Sequence, residues 1–242
     1  MIWTIINSLK NRNMKTIIKT ALTILICIVI HGKVYTQNIN WQSLKSDDKH
    51  ILNINSGFEY GFIYGVGYGY QIRSLLPVVL NLEYSFPSGK NLTDDFKSKI
   101  GGKIRLFEVK NFQLSANIYG VFRRYENDLV RMLNFGSDLS GILGYYRSKW
   151  FVAGEFGFDK AIVTNLKHSQ KYRDVFPEVT DGWYEPPTGG NYHYGLQTGF
   201  SFKQHDIYLK AGKLISQGFK TQPTVPFYAQ LGYNFRIRSA DQ

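Results

Sequence analysis

Charged side chains recur at every second position along several apolar stretches, and this spacing is the first hint of chemistry in the chain. Lys97, Lys99, Lys103 and Arg105 share one parity. In an extended strand that parity sends all four to one face. Glu59, Glu83, Arg123, Asp138, Glu155, Asp159, Lys203, Lys210 and Arg236 are assigned to the same face of neighbouring stretches. If that face is enclosed, charges of both signs must pair, because an isolated buried charge is too costly to keep. The expectation is a network of salt bridges and hydrogen bonds that fills the enclosed space. The alternative is a narrow anion-preferring diffusion channel, since the basic residues outnumber the acidic ones and a ring of charge selects ions wherever water passes.

The histidines are the other groups that could do chemistry. His193 shares the charged face and is the best single candidate for a general base. His168-Ser169 and His205-Asp206 are adjacent in sequence, which does not place a nucleophile against a base. No serine, histidine and acid fall at a common depth. Neither a phosphate-binding glycine loop nor a clustered metal-ligand pattern occurs, so no metal and no cofactor are expected. Cys27 is the only cysteine, which excludes a disulfide framework. The net charge is +11, but five of the basic residues lie within the first 36, with no acid among them. The remainder is not clustered, and no nucleic-acid partner is expected.

The elements that must position these groups are strands of period two. Phe58, Tyr60, Phe62, Tyr64, Val66, Tyr68, Tyr70 and Ile72 alternate with glycine and polar residues. The pattern recurs in nine segments up to Phe227–Ile237. They run to roughly 10–15 residues, longer than ordinary soluble strands and long enough for the 9–11 that a tilted transmembrane strand needs. Large aromatics (17 Tyr and 17 Phe in 242 residues) occupy one face, and the other is too small and glycine-rich to face solvent. Lipid outside and a filled lumen inside satisfy both faces.

The fold class is therefore all-β, a transmembrane antiparallel up-and-down barrel. Short connections at 108–110, 147–149 and 204–205 alternate with long ones at 87–95, 125–131, 161–190 and 216–226. Short turns belong on the periplasmic side and long loops outside. Nine strands cannot return both termini to one side, so a tenth is assigned to His50–Asn55 before a Ser56-Gly57 turn. Ten strands are expected, with eight as the alternative. The 161–190 loop, with Trp183-Tyr184 and mixed charge, is either a ligand- or partner-contacting loop or a solvated one with aromatics at the membrane edge.

Residues 1–36 read as a signal peptide with upstream residues, with Lys15 and Lys19 before an apolar run of about ten. Translation starts at Met1 or Met14, and a short membrane anchor is the alternative. Residues 37–48 form a periplasmic N-terminal segment, 49–238 the barrel and 239–242 a tail.

The last strand reads Gln230-Leu231-Gly232-Tyr233-Asn234-Phe235-Arg236-Ile237. It resembles the terminal assembly signal of outer-membrane barrels, on Gln230, Gly232, Phe235 and Ile237, although the chain continues past the final hydrophobic residue. With its repeated Gly-Tyr pairs and a Gln at the mature start, the chain resembles small outer-membrane β-barrel proteins of the Bacteroidetes type. The resemblance implies export to the outer membrane, the barrel-assembly machinery as a partner, and contact with outer-membrane lipid and lipopolysaccharide. It supplies no activity. Barrels of this broad kind include lipid-modifying enzymes, so that role stands as a third alternative to a non-enzymatic structural or surface-interaction protein and to a channel.

Overall fold

The computed structural model describes residues 38–239 apart from 73, 89–93, 188, 220–222 and 224. The signal-peptide reading of residues 1–36 falls outside the described residues.

Among the described residues, eleven strands form one antiparallel sheet. They are β1 (His50–Phe58), β2 (Phe62–Ile72), β3 (Val78–Pro87), β4 (Asp95–Val109), β5 (Phe112–Glu126), β6 (Val130–Tyr146), β7 (Trp150–His168), β8 (Gly182–Tyr184), β9 (Gly190–Phe202), β10 (His205–Ser216) and β11 (Phe227–Ile237). A short helix, α1 (Gln170–Val175), precedes β8. Each strand pairs with the next in sequence except that β9 pairs with β7 rather than β8, and β1 pairs with β11 from His50↔Ile237 to Phe58↔Ala229. Ten strands thus close into an antiparallel barrel with no free edge, and β8 is a short addition on β7. Closure is what lets strands cross a bilayer, because every backbone donor and acceptor finds a partner within the protein.

The outer wall is apolar. Ile54, Leu82, Ile100, Ile118, Leu139, Leu143, Phe156, Leu196, Phe200 and Leu231 are all exposed on it. An apolar surface this continuous is a lipid-facing one. Towards the loop end an unbroken row of rings edges the band. It runs Phe227, Phe58, Phe62, Tyr64, Phe86, Tyr84, Phe96, Phe122, Phe135 and Trp183, with successive centroids 4.9–6.2 Å apart. Around Phe112–Tyr145–Trp150 and Phe202–His205–Phe235, rings gather again at the turn end. Two aromatic girdles around an apolar band are the signature of an outer-membrane barrel.

Three details differ from the sequence reading. The first hairpin turns at Glu59-Tyr60-Gly61, not at Ser56-Gly57, so the second strand starts at Phe62 rather than Phe58. Gly57 belongs to β1 at φ 154°, where a Cβ would lie 2.0 Å from the Ala229 carbonyl oxygen. The second difference is at 161–190, which is not a loop throughout. β7 continues to His168, and the register with β6 jumps from Phe135↔Val163 to Gly136↔Ala161, leaving Ile162 as a bulge. A bulge reverses the inward–outward parity of everything beyond it, which breaks the alternation while the strand goes on.

The third difference is the N-terminal segment. Residues 38–48 fold into the turn end of the lumen instead of lying apart from the barrel. Ile39 and Trp41 are buried in one cluster with Ile51, Val79, Ile142, Tyr146, Phe151 and Tyr208, and Leu44 packs against it. The apolar part of the core is therefore a plug-and-barrel contact. The middle of the lumen is polar.

Candidate functional site

The lumen is built in tiers, starting at the plug. Arg236 on β11 is 2% exposed. It forms salt bridges of 3.3 Å to Asp48 of the plug and 3.3 Å to Asp206 on β10. It also donates to the carbonyls of Ser43 and Lys203. One guanidinium, with its fixed fork of donors, ties the plug, β11 and the β9–β10 turn together. Asn40 adds bonds of 2.9 Å each to the Arg147 carbonyl and the Ser201 hydroxyl, and Asn234 donates to the Asn38 carbonyl at 2.6 Å. Asn234 in turn accepts from Asn53, which also donates to Tyr208.

Arg105 joins the same end. Leu106 is a bulge, since the β4–β5 register passes from Arg105↔Ser115 to Phe107↔Leu114. The extra residue brings Arg105 and Glu108 onto one side, where they pair at 2.8 Å. Glu108 also accepts from Gln42 of the plug at 2.7 Å.

The middle tier is the densest. Lys99 pairs with Asp138 at 2.6 Å, and Asp138 accepts from His193 Nε2 at 3.2 Å. His193 Nδ1 lies 3.2 Å from Glu155, which also accepts from Gln197 at 3.1 Å. Glu59 reaches in from the first turn to bind Lys97 at 2.7 Å and Gln230 at 3.0 Å. Lys210 lies over the Tyr228 ring. Glu83, Lys103 and Lys210 line the same space as these pairs, around a residual cavity of about 80 Å³. Towards the loop end, Arg123 holds Asp95 with two bonds and stacks over Tyr60, and Asp159 accepts two bonds from Asn191.

Twelve of the thirteen charges assigned to the lumen from sequence thus lie inside it, in three tiers. Lys203 is the exception. It occupies the β9–β10 turn at φ 55°, exposed, and only its carbonyl takes part. Asp48, Asp95 and Asp206 escaped the sequence reading. Asp48 lies outside any strand, Asp95 at the first residue of one, and Asp206 directly after a turn, where no alternation has yet begun.

His193 is not placed to act as a general base. Both ring nitrogens face carboxylates, Asp138 on β6 and Glu155 on β7, so the ring on β9 ties three strands together and has no free side to turn toward a substrate. His168 lies 3.1 Å from Asp181, and Ser169 caps α1 by accepting from the Tyr172 amide. His205 binds Tyr233, whereas Asp206 points to Arg236. Each histidine of the described sequence pairs has a structural partner, and none meets a serine.

Gly157 makes the middle tier possible. A Cβ there would lie 2.4 Å from His193 Nε2 and 2.6 Å from the Ser140 Cβ. Gly157→Val should therefore push His193 off its carboxylates and cost about 1–3 kcal/mol, as overpacking does. A lowered urea midpoint for the barrel refolded in lipid vesicles is the expected readout.

Beyond the loop-end girdle, β7, α1 and β8 form a compact hairpin. Asp181 closes it by accepting from the His168 amide at 2.8 Å and from Arg173 at 2.6 Å. The His168 amide, its ring and then Arg173 hold the Asp181 carboxyl below the usual carboxylate range. A depressed pKa stabilises the hairpin at every pH above the unfolded value, and that contribution goes as pH falls through the folded one. Hydrogen exchange of residues 168–184 should therefore stay slow from neutrality down to about pH 4 and accelerate below it. Asp181→Asn should show fast exchange already at pH 7.

In the terminal strand, Gln230 is buried on Glu59, and Gly232 lies under the Tyr208 ring, which a Cβ would meet at 2.1 Å. Phe235 stacks on His205 at the turn-end girdle, and Ile237 pairs with His50 to close the barrel.

No protein-family model and no curated protein sequence matches this chain. Among solved structures it is similar to the KdgM porin in complex with disordered oligogalacturonate, at 7% identity and a TM-score of 0.40, covering 78% of this chain and 99% of that one. It is also similar to LpxR from Salmonella typhimurium, at 9% identity and a TM-score of 0.32, covering 81% and 86%. A third likeness is to the outer membrane transporter YddB from Escherichia coli, at 12% identity and a TM-score of 0.28, covering 72% of this chain and 31% of that one. Scores this low carry no argument about ligand or reaction, and the chain stands as a small outer-membrane β-barrel on its own strand pairing and girdles.

Proposed function

We propose that this barrel is a non-enzymatic outer-membrane protein with a plugged lumen, which serves as a rigid scaffold for the hairpin at its loop end. The observation that supports it best is the double closure of the lumen. Residues 38–48 fill the turn end, pinned by Arg236, and paired charges cross the middle. Lys97, Lys99 and Arg236 each hold a carboxylate inside the lumen, and an ion passing through would have to break such contacts. Of the basic residues that favour an anion channel, Lys97, Lys99, Arg105, Arg123 and Arg236 are engaged by acids of the protein.

In this reading the turn end is periplasmic and the loop end extracellular, following the side on which short turns fall. Export through a cleaved signal peptide, and recognition of Gln230, Gly232, Phe235 and Ile237 by the barrel-assembly machinery, belong to the same proposal. Kinship with barrels of Bacteroidetes-type bacteria rests on the Gly-Tyr repeats and the Gln start alone.

The test is swelling of liposomes that contain the purified protein, diluted into isotonic solutions of small sugars. No swelling beyond that of empty liposomes is expected. Swelling that falls with solute size would establish a diffusion channel instead. A changed lipid A or phospholipid mass profile on expression would point to the lipid-modifying alternative.

A further inference from the structure

On the loop-end side of the middle tier the inner wall has a hollow that the charge pairs do not fill. Val121, Gly136 and Ala161 are successive cross-strand partners on β5, β6 and β7. In the row nearer the loops stand Arg123 and Asn134, and in the row nearer the turns Tyr119, Asp138 and Asp159. Residues two apart share a face, so all of these turn inward. A glycine and two short side chains between rows of longer ones leave a cavity of about 170 Å³. Gly136 has no room for anything larger, because a Cβ there would lie 2.3 Å from the Lys160 carbonyl oxygen. The Lys160 side chain itself has the outward parity. This crowding adjoins the β7 bulge at Ile162, and bulges recur beside binding sites because they re-aim the residues around them.

The polar groups that line the hollow are only half used. Arg123 gives Nε and Nη2 to Asp95, and among the described residues its Nη1 has no acceptor. Asp159 accepts the Asn191 amide and Nδ2 on Oδ1 alone. Among the described residues its Oδ2 has no donor, and no cation pairs with it. Asp159 also lies directly opposite Asp138 in register, whose oxygens are taken by Lys99 and His193. Like charges opposite one another in a sheet are destabilising, so Asp159 calls for a cation. Both Arg123 and Asp159 are half-buried, within reach of a molecule that enters the hollow. The remaining wall is partly apolar, with Val121, Met132 and Ala161.

We propose that this hollow binds a free α-amino acid with an aliphatic side chain of about leucine's size. Its ammonium group donates to Asp159 Oδ2, its carboxylate accepts from Arg123 Nη1, and its side chain packs on Val121, Met132 and Ala161. Both polar contacts are charge-assisted, the stronger kind of hydrogen bond. A neutral sugar answers neither charge. An amine leaves Arg123 Nη1 unused, and a carboxylic acid leaves Asp159 facing Asp138 without a cation. The site needs neither a membrane orientation nor a closed lumen.

Isothermal titration calorimetry of the folded full-length barrel in detergent tests it, with L-leucine as the probe. Isopentylamine and isocaproate, which are leucine without its carboxylate and without its ammonium group, are the comparison ligands. L-leucine should bind saturably, and at least about tenfold more tightly than either comparison ligand. Asp159→Asn keeps the shape and the acceptor for Asn191, and should weaken L-leucine by about tenfold or more. Lys149→Gln, an exposed turn-end change, should bind as the wild-type protein does. Heat-modified mobility on a gel confirms that each variant has folded, and the three-ligand comparison on the wild-type protein stands without any variant. No saturable heat with L-leucine at millimolar concentration would overturn the site. So would amine or acid binding as tightly as L-leucine, or undiminished binding by Asp159→Asn. Conductance is untouched by any of these outcomes, so failure here is separable from failure of the plugged-lumen reading.

Discussion

Replacing Arg236 with methionine should release the N-terminal plug. Methionine nearly matches the volume but removes the guanidinium that bridges Asp48 and Asp206, which are 1% and 2% exposed. Asp206 would then lose its cation, Asp48 would keep only the more exposed Arg238 at 3.4 Å, and the carbonyls of Ser43 and Lys203 would lose their donor. Breaking a buried ion pair by removing one partner costs about 3–5 kcal/mol. The cheapest relief is for the plug to leave, taking Asp48 into water, because the ten barrel strands remain paired without it. Trypsin added from the plug side should then cut at Lys45 or Lys49 faster than in the wild-type protein, where the folded plug should slow cleavage. An intact segment after digestion of Arg236→Met would mean that the apolar packing of Ile39, Trp41 and Leu44 holds the plug by itself.

The second large effect belongs to the middle tier. Asp138→Leu leaves Lys99 without its 2.6 Å partner and takes one of the two carboxylates from His193. The side chains of Lys99 and Asp138 are 16% and 10% exposed, so water replaces the lost partner poorly. A loss of about 3–5 kcal/mol is again expected, read as a lower urea midpoint in lipid vesicles. The informative comparison is the double variant Asp138→Leu with Lys99→Met. Removing both partners leaves no orphaned charge, so most of the loss should be recovered, giving a coupling well beyond the few tenths seen for independent sites. If the two losses simply add, Lys99 and Asp138 are not acting as a buried pair.

These variants touch residues that were legible in the sequence to different degrees. Asp138, Lys99, Glu155 and Arg236 announced themselves by parity, since each sits opposite a lipid-facing apolar residue. Parity also supplied the tenth strand, because an odd count would strand one terminus on the wrong side, and β1 is that strand. What parity could not supply was depth. It does not say that Lys99 meets Asp138 from two strands away, a pairing set by the stagger of β4, β5 and β6.

Parity failed wherever a bulge reversed it. Beyond Ile162 the inward residues become even-numbered, so Thr164 turns inward and the alternation of β7 looks finished four residues before β8 pairs with it. The same reversal at Leu106 brings Arg105 and Glu108 together, a pairing that a uniform strand forbids. The plug had no period to read. Its signal was composition. Ile39 and Trp41, each flanked by amides, are apolar side chains that a solvated periplasmic segment would leave uncovered. Lys203 was assigned by parity to a strand that had already turned.

The charge tiers and the plug together make the central claim, that the lumen is closed, and planar-bilayer recording on the folded full-length protein tests it most directly. Traces indistinguishable from the bare membrane are expected, at both polarities and across a range of salt, because Arg236 and the Lys99–Asp138–His193–Glu155 tier obstruct the lumen at two separate depths. Steady, reproducible current steps that vanish when the protein is omitted would contradict it, and reversal potentials in a salt gradient would then show whether the basic residues select anions.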